Sequence, residues 1–161
     1  MPCAARSTVK SVHSLRPRTN ADLPVVASWV PDAEALYAFA GPWMTWPFLP
    51  DELDDLQRRP GATAWILDTG DGEPVGHVQL TPVDDALRIG RLIVDPTMRG
   101  QGWGRRILVL ALDHARARGV PRVQLGVLAS NTPARRLYES LGFVADPETH
   151  DAPIVLMARN V

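Results

Sequence analysis

Apolar residues fall into two rhythms along this chain, and those rhythms mark out its elements. From 103 to 118, Ile107, Leu108, Ala111, Leu112 and Ala115 recur at spacings of three and four, the stripe of a helix whose stop is Gly119. Upstream, 62–69, 74–83 and 86–94 alternate with period two and read as strands, the first two joined by the turn "GDGE" at 70–73, an antiparallel meander. In the third strand, strict alternation puts Leu87, Ile89, Arg91 and Ile93 on one face and Arg88, Gly90, Leu92 and Val94 on the other. The C-terminal end of that strand is therefore expected to be covered on both sides. Downstream, "RVQLGVL" (122–128) is a further strand, 132–142 a helix with Thr132 as N-cap, Pro133 at N1 and Gly142 as stop, and 153–159 a closing strand.

The first sixty residues are less regular. A short strand is expected within 11–19, where Val12 and Leu15 are separated by polar residues and Pro17 cuts the run short. Two short helices follow at 20–30 and 31–41, with Asn20 as N-cap, Pro31 in a first turn and Gly41 as stop. Residues 41–50 must form a loop, because Pro42, Pro47 and Pro50 remove amide donors at close spacing. The acidic-to-basic run 51–59 reads as a short helix aligned with its dipole. No internal repeat is apparent.

Composition narrows the function without assigning it. At 161 residues the chain is expected to form one domain over 11–161 behind a flexible tail at 1–10. Seventeen basic residues against 18 acidic give a net charge of −1, so no global field draws it to nucleic acid and any anion site must be local. The single cysteine, Cys3, allows neither a disulfide framework nor a Cys-based zinc site, and suits a reducing, cytoplasmic setting. No run approaches a membrane span, and the tail "MPCAARSTVK" lacks the apolar stretch of a signal peptide. His13, His77, His114 and His150 are scattered without ligand spacing, so no metal is expected, and no G-x-S-x-G occurs.

The candidate chemistry lies in "VDPTMRGQGWGRRIL" (94–108), where Gly100, Gly102 and Gly104 stand between a strand and the most regular helix. A helix N-terminus offers unpaired amides and partial positive charge, and glycines in the loop before it let several amides approach one phosphate, with Arg99 and Arg105 adding charge. A turn needing positive φ accounts for one such glycine more readily than for three. The Walker pattern fails for want of a lysine before Ser or Thr, and G-x-G-x-x-G fails because its last place falls on Arg105 or Ile107.

What does match is Arg99-x-x-Gly102-x-Gly104 after "RLIVDP", and at this point the chain resembles the GNAT acyltransferase superfamily. A second signature of that family, Asn, a short helix, Tyr, then Leu-Gly-Phe, resembles "NTPARRLYESLGF" at 131–143. The resemblance covers roughly 12–160, with 20–60 matching in layout more than in sequence. It implies a mixed α/β (α+β) fold: a mostly antiparallel sheet of six or seven strands, splayed near 94 and 127, flanked by about four helices. It implies acetyl-CoA as co-substrate, with no metal, and acetyl transfer to a primary amine by direct attack in a ternary complex. By the same resemblance, the loop amides of Arg99, Gly100, Gln101, Gly102, Trp103, Gly104 and Arg105 would hold the pyrophosphate. The backbone of Leu92, Ile93 and Val94 would pair with the pantetheine arm, the Val94 amide facing the developing oxyanion; Asn131 would hold the arm and Tyr138 would protonate the thiolate.

Bland alternatives stand beside these roles. An isolated helical Tyr138 would read as a core aromatic next to Leu137, though inside this signature the acid is the preferred reading, and Asn131 alone reads equally as a cap or turn residue. Where some family members use a Glu on the strand before the loop, "ALRIGRLIV" has no carboxylate. Asp84 and Asp85 read better as a turn and His77 as satisfied structure than as the base, and a water chain or an already neutral amine removes the need for one. Among the aromatics of 20–50, Trp29 and Tyr37 are expected in the core, while Trp43 and Trp46 would line a pocket for an apolar or aromatic amine. The acceptor would be a small-molecule or peptide amine, with no nucleic-acid or membrane partner; a homodimer through sheet or helix edges is compatible with the resemblance. A non-catalytic acyl-CoA-binding or sensor domain of the same fold is the alternative function.

Overall fold

The computed structural model of the chain describes residues 13–161; the expected tail, Cys3 and Val12 lie outside the described residues. Seven strands are present: β1 (Leu15–Pro17), β2 (Thr63–Asp68), β3 (Pro74–Val83), β4 (Ala86–Val94), β5 (Arg122–Leu128), β6 (Val144–Ala145) and β7 (Ile154–Asn160). They form one sheet in the order β1-β2-β3-β4-β5-β7-β6, antiparallel except for the parallel pair β4·β5 at its centre. Parallel strands need a long crossover, and α3 (Trp103–Ala117) supplies it. The expected mixed architecture, with its central splay, is the one observed.

Two cores sandwich the sheet. Ile107, Leu108, Ala111, Leu112 and Ala115 of α3 pack with Val78, Leu80, Leu87, Ile89 and Val123 on one face, joined by Tyr138 and Leu141 from the region of α4 (Thr132–Ser140). Full burial of an Ile or Leu side chain is worth about 2 kcal/mol, so this stripe is what anchors α3 on the sheet. On the other face, α1 (Leu23–Ser28) and α2 (Ala33–Ala40) bring Leu23, Val26, Leu36 and Phe39 over Ile66, with Leu53 from the following segment. Among the described residues no helix is long and apolar enough to cross a membrane.

Several local expectations are corrected. The 51–59 segment is two 3-10 turns, Pro50–Leu53 and Leu56–Arg58, because Leu53 is drawn into the core and the Asp55 carboxylate turns inward to Arg91. The first cap is Thr19, whose amide donates to the Asp22 carboxylate at 2.7 Å, and not Asn20. Asp32 replaces Pro31 as the start of α2, its Oδ1 accepting from the Ala35 amide at 2.8 Å. Asn131, not Thr132, caps α4 in the same way at 3.3 Å, which moves Pro133 one place inward. The two-residue β6 left no periodic signal to read.

Strict alternation also fails within β4. Gln79 pairs with Gly90 and His77 with Ile93, so Arg91 and Leu92 together oppose Val78, a bulge with Arg91 at φ 48°. The extra residue flips the pattern: Leu92 and Val94, not Arg91 and Ile93, continue the face of Leu87 and Ile89 toward α3. Ile93 joins the opposite core.

Candidate active site

The bulge is what opens the sheet. Pairing between β4 and β5 runs from Ala86↔Arg122 to Ile89↔Leu125 and stops there, leaving Gly90–Val94 and Gly126–Leu128 apart. Arg91 is 9% exposed and its guanidinium points away from the notch, donating to the Leu53 carbonyl at 2.9 Å and to both Asp55 oxygens at 3.1 and 2.8 Å. Burial lowers its pKa while Asp55 opposes that shift. His77 Nδ1 lies 2.8 Å from the Arg91 carbonyl and its Nε2 3.4 Å from the Arg18 guanidinium. Those partners fit a neutral ring that donates from Nδ1 and accepts at Nε2. The bulge is thus pinned from both sides.

A cavity of about 670 Å³ occupies the notch and runs down to the N-terminus of α3. Every candidate residue expected from the sequence lines it except Gln101, which faces solvent on the outside of the loop. The free backbone edges of Leu92–Val94 and Val127–Leu128 form its upper walls, where an extended ligand could take the place of a missing strand. Gly100 and Gly102 hold φ of 76° and 85°, so conformation alone favours glycine at both, and a Cβ on either would meet nothing within 4 Å. Gly104 is different: it lies in the first turn of α3, where a Cβ would sit 3.6 Å from Leu137, an ordinary contact. That first turn carries no acidic residue, and Arg99 and Arg105 stand on the cavity wall, Arg105 tied to Ser140 Oγ at 3.0 Å. The Trp103 indole N–H is buried without a partner among the described residues.

The Asn131 oxygen is committed to capping α4, which leaves its amide N–H groups for a ligand. Tyr138 is 9% exposed, packs its ring edge-on to Phe143 at 6.1 Å and reaches the cavity wall. Burial pushes its phenol up to about 12. These features fit an elongated anionic ligand: an open cradle of amides below, strand edges above, and a protonated phenol at the top of the notch.

A smaller recess of about 290 Å³ adjoins the notch, sharing Phe39, Leu92, Gly126 and Tyr138 with it. Tyr37, expected in the core, is 40% exposed and lines this recess because it points off the outer side of α2. Trp29 is in the core as expected, and also touches the notch. Trp43 stands at the mouth of the recess, whereas Trp46 packs on Phe48 and lines neither hollow. Asp84 and Asp85 form the β3–β4 turn at the opposite end of β4 from Val94, and His77 is buried behind the bulge. Among the described residues no carboxylate or imidazole lines either hollow. A third hollow of about 750 Å³ lies along β5 and β7 and is remote from the glycine loop. The splay expected near 127 is the Gly126–Leu128 wall; the polar floor of the recess was not anticipated.

With this geometry in view, comparisons with known proteins agree on one family. The family model described as "Acetyltransferase (GNAT) family" matches residues 33–143. A mycothiol acetyltransferase of Thermomonospora curvata is 41% identical over 101 residues, covering 56% of this chain and 33% of its own length, so the chain spans about a third of that relative. The N-acetyltransferase YjgM of Escherichia coli is 29% identical over 136 residues, 80% of each chain. Among solved structures, spermidine N-acetyltransferase from Vibrio cholerae, in complex with CoA and spermine, superposes with a TM-score of 0.75 at 19% identity, covering 92% of this chain and 95% of its own. That likeness is one of fold.

Proposed function

Because the chain belongs to the GNAT acetyltransferase family, we propose that it transfers acetyl from acetyl-CoA to a primary amine, by direct attack with both substrates bound at once. The observation that carries this reading is the notch between β4 and β5, floored by an acid-free helix N-terminus and walled by Tyr138. In the reading, the amides of Arg99 to Arg105 hold the pyrophosphate, with Gln101 contributing its backbone alone. Leu92, Ile93 and Val94 pair with the pantetheine arm as a strand would, and the Asn131 amide steadies it. The Val94 amide faces the carbonyl oxygen as it gains charge. The domain assigned to this work is 11–161, acting in the cytoplasm on a small-molecule or peptide amine.

The proton inventory follows from Tyr138. A phenol at about 12 stays protonated at any working pH. Complete transfer to a free thiolate of ordinary thiol pKa, about 8.5, would be uphill by roughly three units. Its part is therefore a hydrogen bond to the sulfur that becomes transfer only as the proton is replaced. As the C–N bond forms and the C–S bond breaks, the nitrogen releases a proton, the phenol passes its own to sulfur, and solvent relays the first back to the phenol. No resident carboxylate is required, in keeping with a lining that has none among the described residues.

Two measurements test the reading. Isothermal titration with acetyl-CoA should show micromolar-range binding that Gly102→Glu abolishes, since a carboxylate there enters the amide cradle; absence of binding to the unaltered chain would remove the enzyme reading. Tyr138→Phe should keep acetyl-CoA affinity while lowering kcat by about 10²- to 10⁴-fold, the usual range for a lost proton donor. A chain that binds acetyl-CoA yet turns over no amine would instead support the sensor domain.

A further inference from the structure

The recess beside the notch is built for negative charge. Its lining includes Arg59, Arg88 and Arg91 and no carboxylate among the described residues. Asp55 binds Arg91 through both oxygens and takes only the Nε of Arg59, at 3.0 Å, so one carboxylate faces two guanidiniums and the terminal nitrogens of Arg59 make no hydrogen bond among the described residues. Arg88, exposed on β4, makes no ion pair there at all. Gln79, 3% exposed, lines the same recess, and its amide oxygen, without a partner among the described residues, offers a place for an N–H of the ligand and not for its anion. Gln79 pairs in register with Gly90 and Thr81 with Arg88, and a Cβ on Gly90 would meet nothing within 4 Å, so the floor above these residues is open space.

We infer that the acceptor is an amine that also carries an anionic group, a carboxylate or phosphate, held by Arg88 and Arg59. This rests on the acetyltransferase reading and deepens it. Guanidinium forks match both anions with paired, charge-assisted hydrogen bonds. A polyamine would instead bring further positive charge into a recess with an unbalanced positive lining, where no carboxylate among the described residues would balance it. The same arginines favour the uncharged form of the incoming amine, the form that attacks, which suits a site with no base on its walls. Tyr37 and Trp43 at the rim pack against the body of the acceptor and do not select it by charge.

The test uses the full chain, first titrated with acetyl-CoA and then, loaded with CoA, with matched amines. β-Alanine, γ-aminobutyrate and 5-aminopentanoate are set against diamines of similar length, with O-phosphoethanolamine separating phosphate from carboxylate. Acidic amines should bind at least 10-fold more tightly than the diamines. Arg88→Gln should weaken them by about 10- to 100-fold, the span expected for hydrogen bonds to a charged group, with acetyl-CoA affinity unchanged. Arg88→Glu should reverse the preference toward diamines. Diamines binding as well as the acids, no acid binding, or affinity for acids indifferent to both Arg88→Gln and Arg59→Gln would each overturn the inference. Loss of acetyl-CoA binding by the unaltered chain would instead overturn the underlying reading.

Discussion

His77 is 1% exposed, and burial pulls its imidazole down to about 4. An unfolded histidine titrates near 6.5, so between those values the unfolded chain binds more protons and stability falls as pH drops through that window. It is full above about 6.5 and reduced by up to about 3 kcal/mol near 4. Urea midpoints from pH 7.5 to 4.5 should therefore separate the wild type from His77→Gln, which keeps a donor for Arg91 but does not titrate. Parallel curves would refute the assignment. The sequence already favoured satisfied structure over a base at this residue, but could not name its two partners, Arg91 and Arg18, which lie 14 and 59 residues away. Tyr138 and Asn131, which both line the notch, were singled out by the family signature at 131–143, while the helix start itself was placed one residue late. Gln79 and Arg88 were not, since only the register of β3 on β4 brings them to one floor.

Elements with a dominant period were readable almost to their ends, and α3 is the case in point: its stripe sets its buried face and Gly119 closes it at φ 67°. β4 was readable as a strand but not in its facing, because a one-residue bulge leaves no mark on composition. Packing between α3 and β3 rests on a feature equally silent in sequence. A Cβ on Gly76 would run into Ile107 Cδ1, and Ile107 is fully buried. Gly76→Ala should cost about 1–3 kcal/mol by overpacking. Ile107→Val, which deletes the colliding carbon, should recover part of that loss in the double variant. A double-mutant cycle by chemical denaturation with no coupling would show that the Ile107 side chain simply moves aside.

At the scale of the molecule, family layout supplied most of the architecture, and the structure added how the sheet is joined. β1 to β4 and β5 to β7 meet through four Cα pairs, Ala86↔Arg122 to Ile89↔Leu125, together with the α3 crossover. Beyond Ile89 the amides of Gly90–Val94 and Gly126–Leu128 have no strand across the gap. Ligand at about 100 times its dissociation constant adds roughly 2.7 kcal/mol to folding stability, or some 5–10 °C in a chain of this size. Acetyl-CoA should produce that rise, and hydrogen exchange should slow specifically at 90–94 and 126–128; uniform slowing across the sheet would mean that the thread does not lie in the gap. On the proposed reading, the split sheet is a seam left open in weaving, and acetyl-CoA is the thread that each turnover would exchange. Resistance to proteolysis would rise and fall with the supply of that thread, so the amount of protein surviving in a starved cell would register how much carrier it holds.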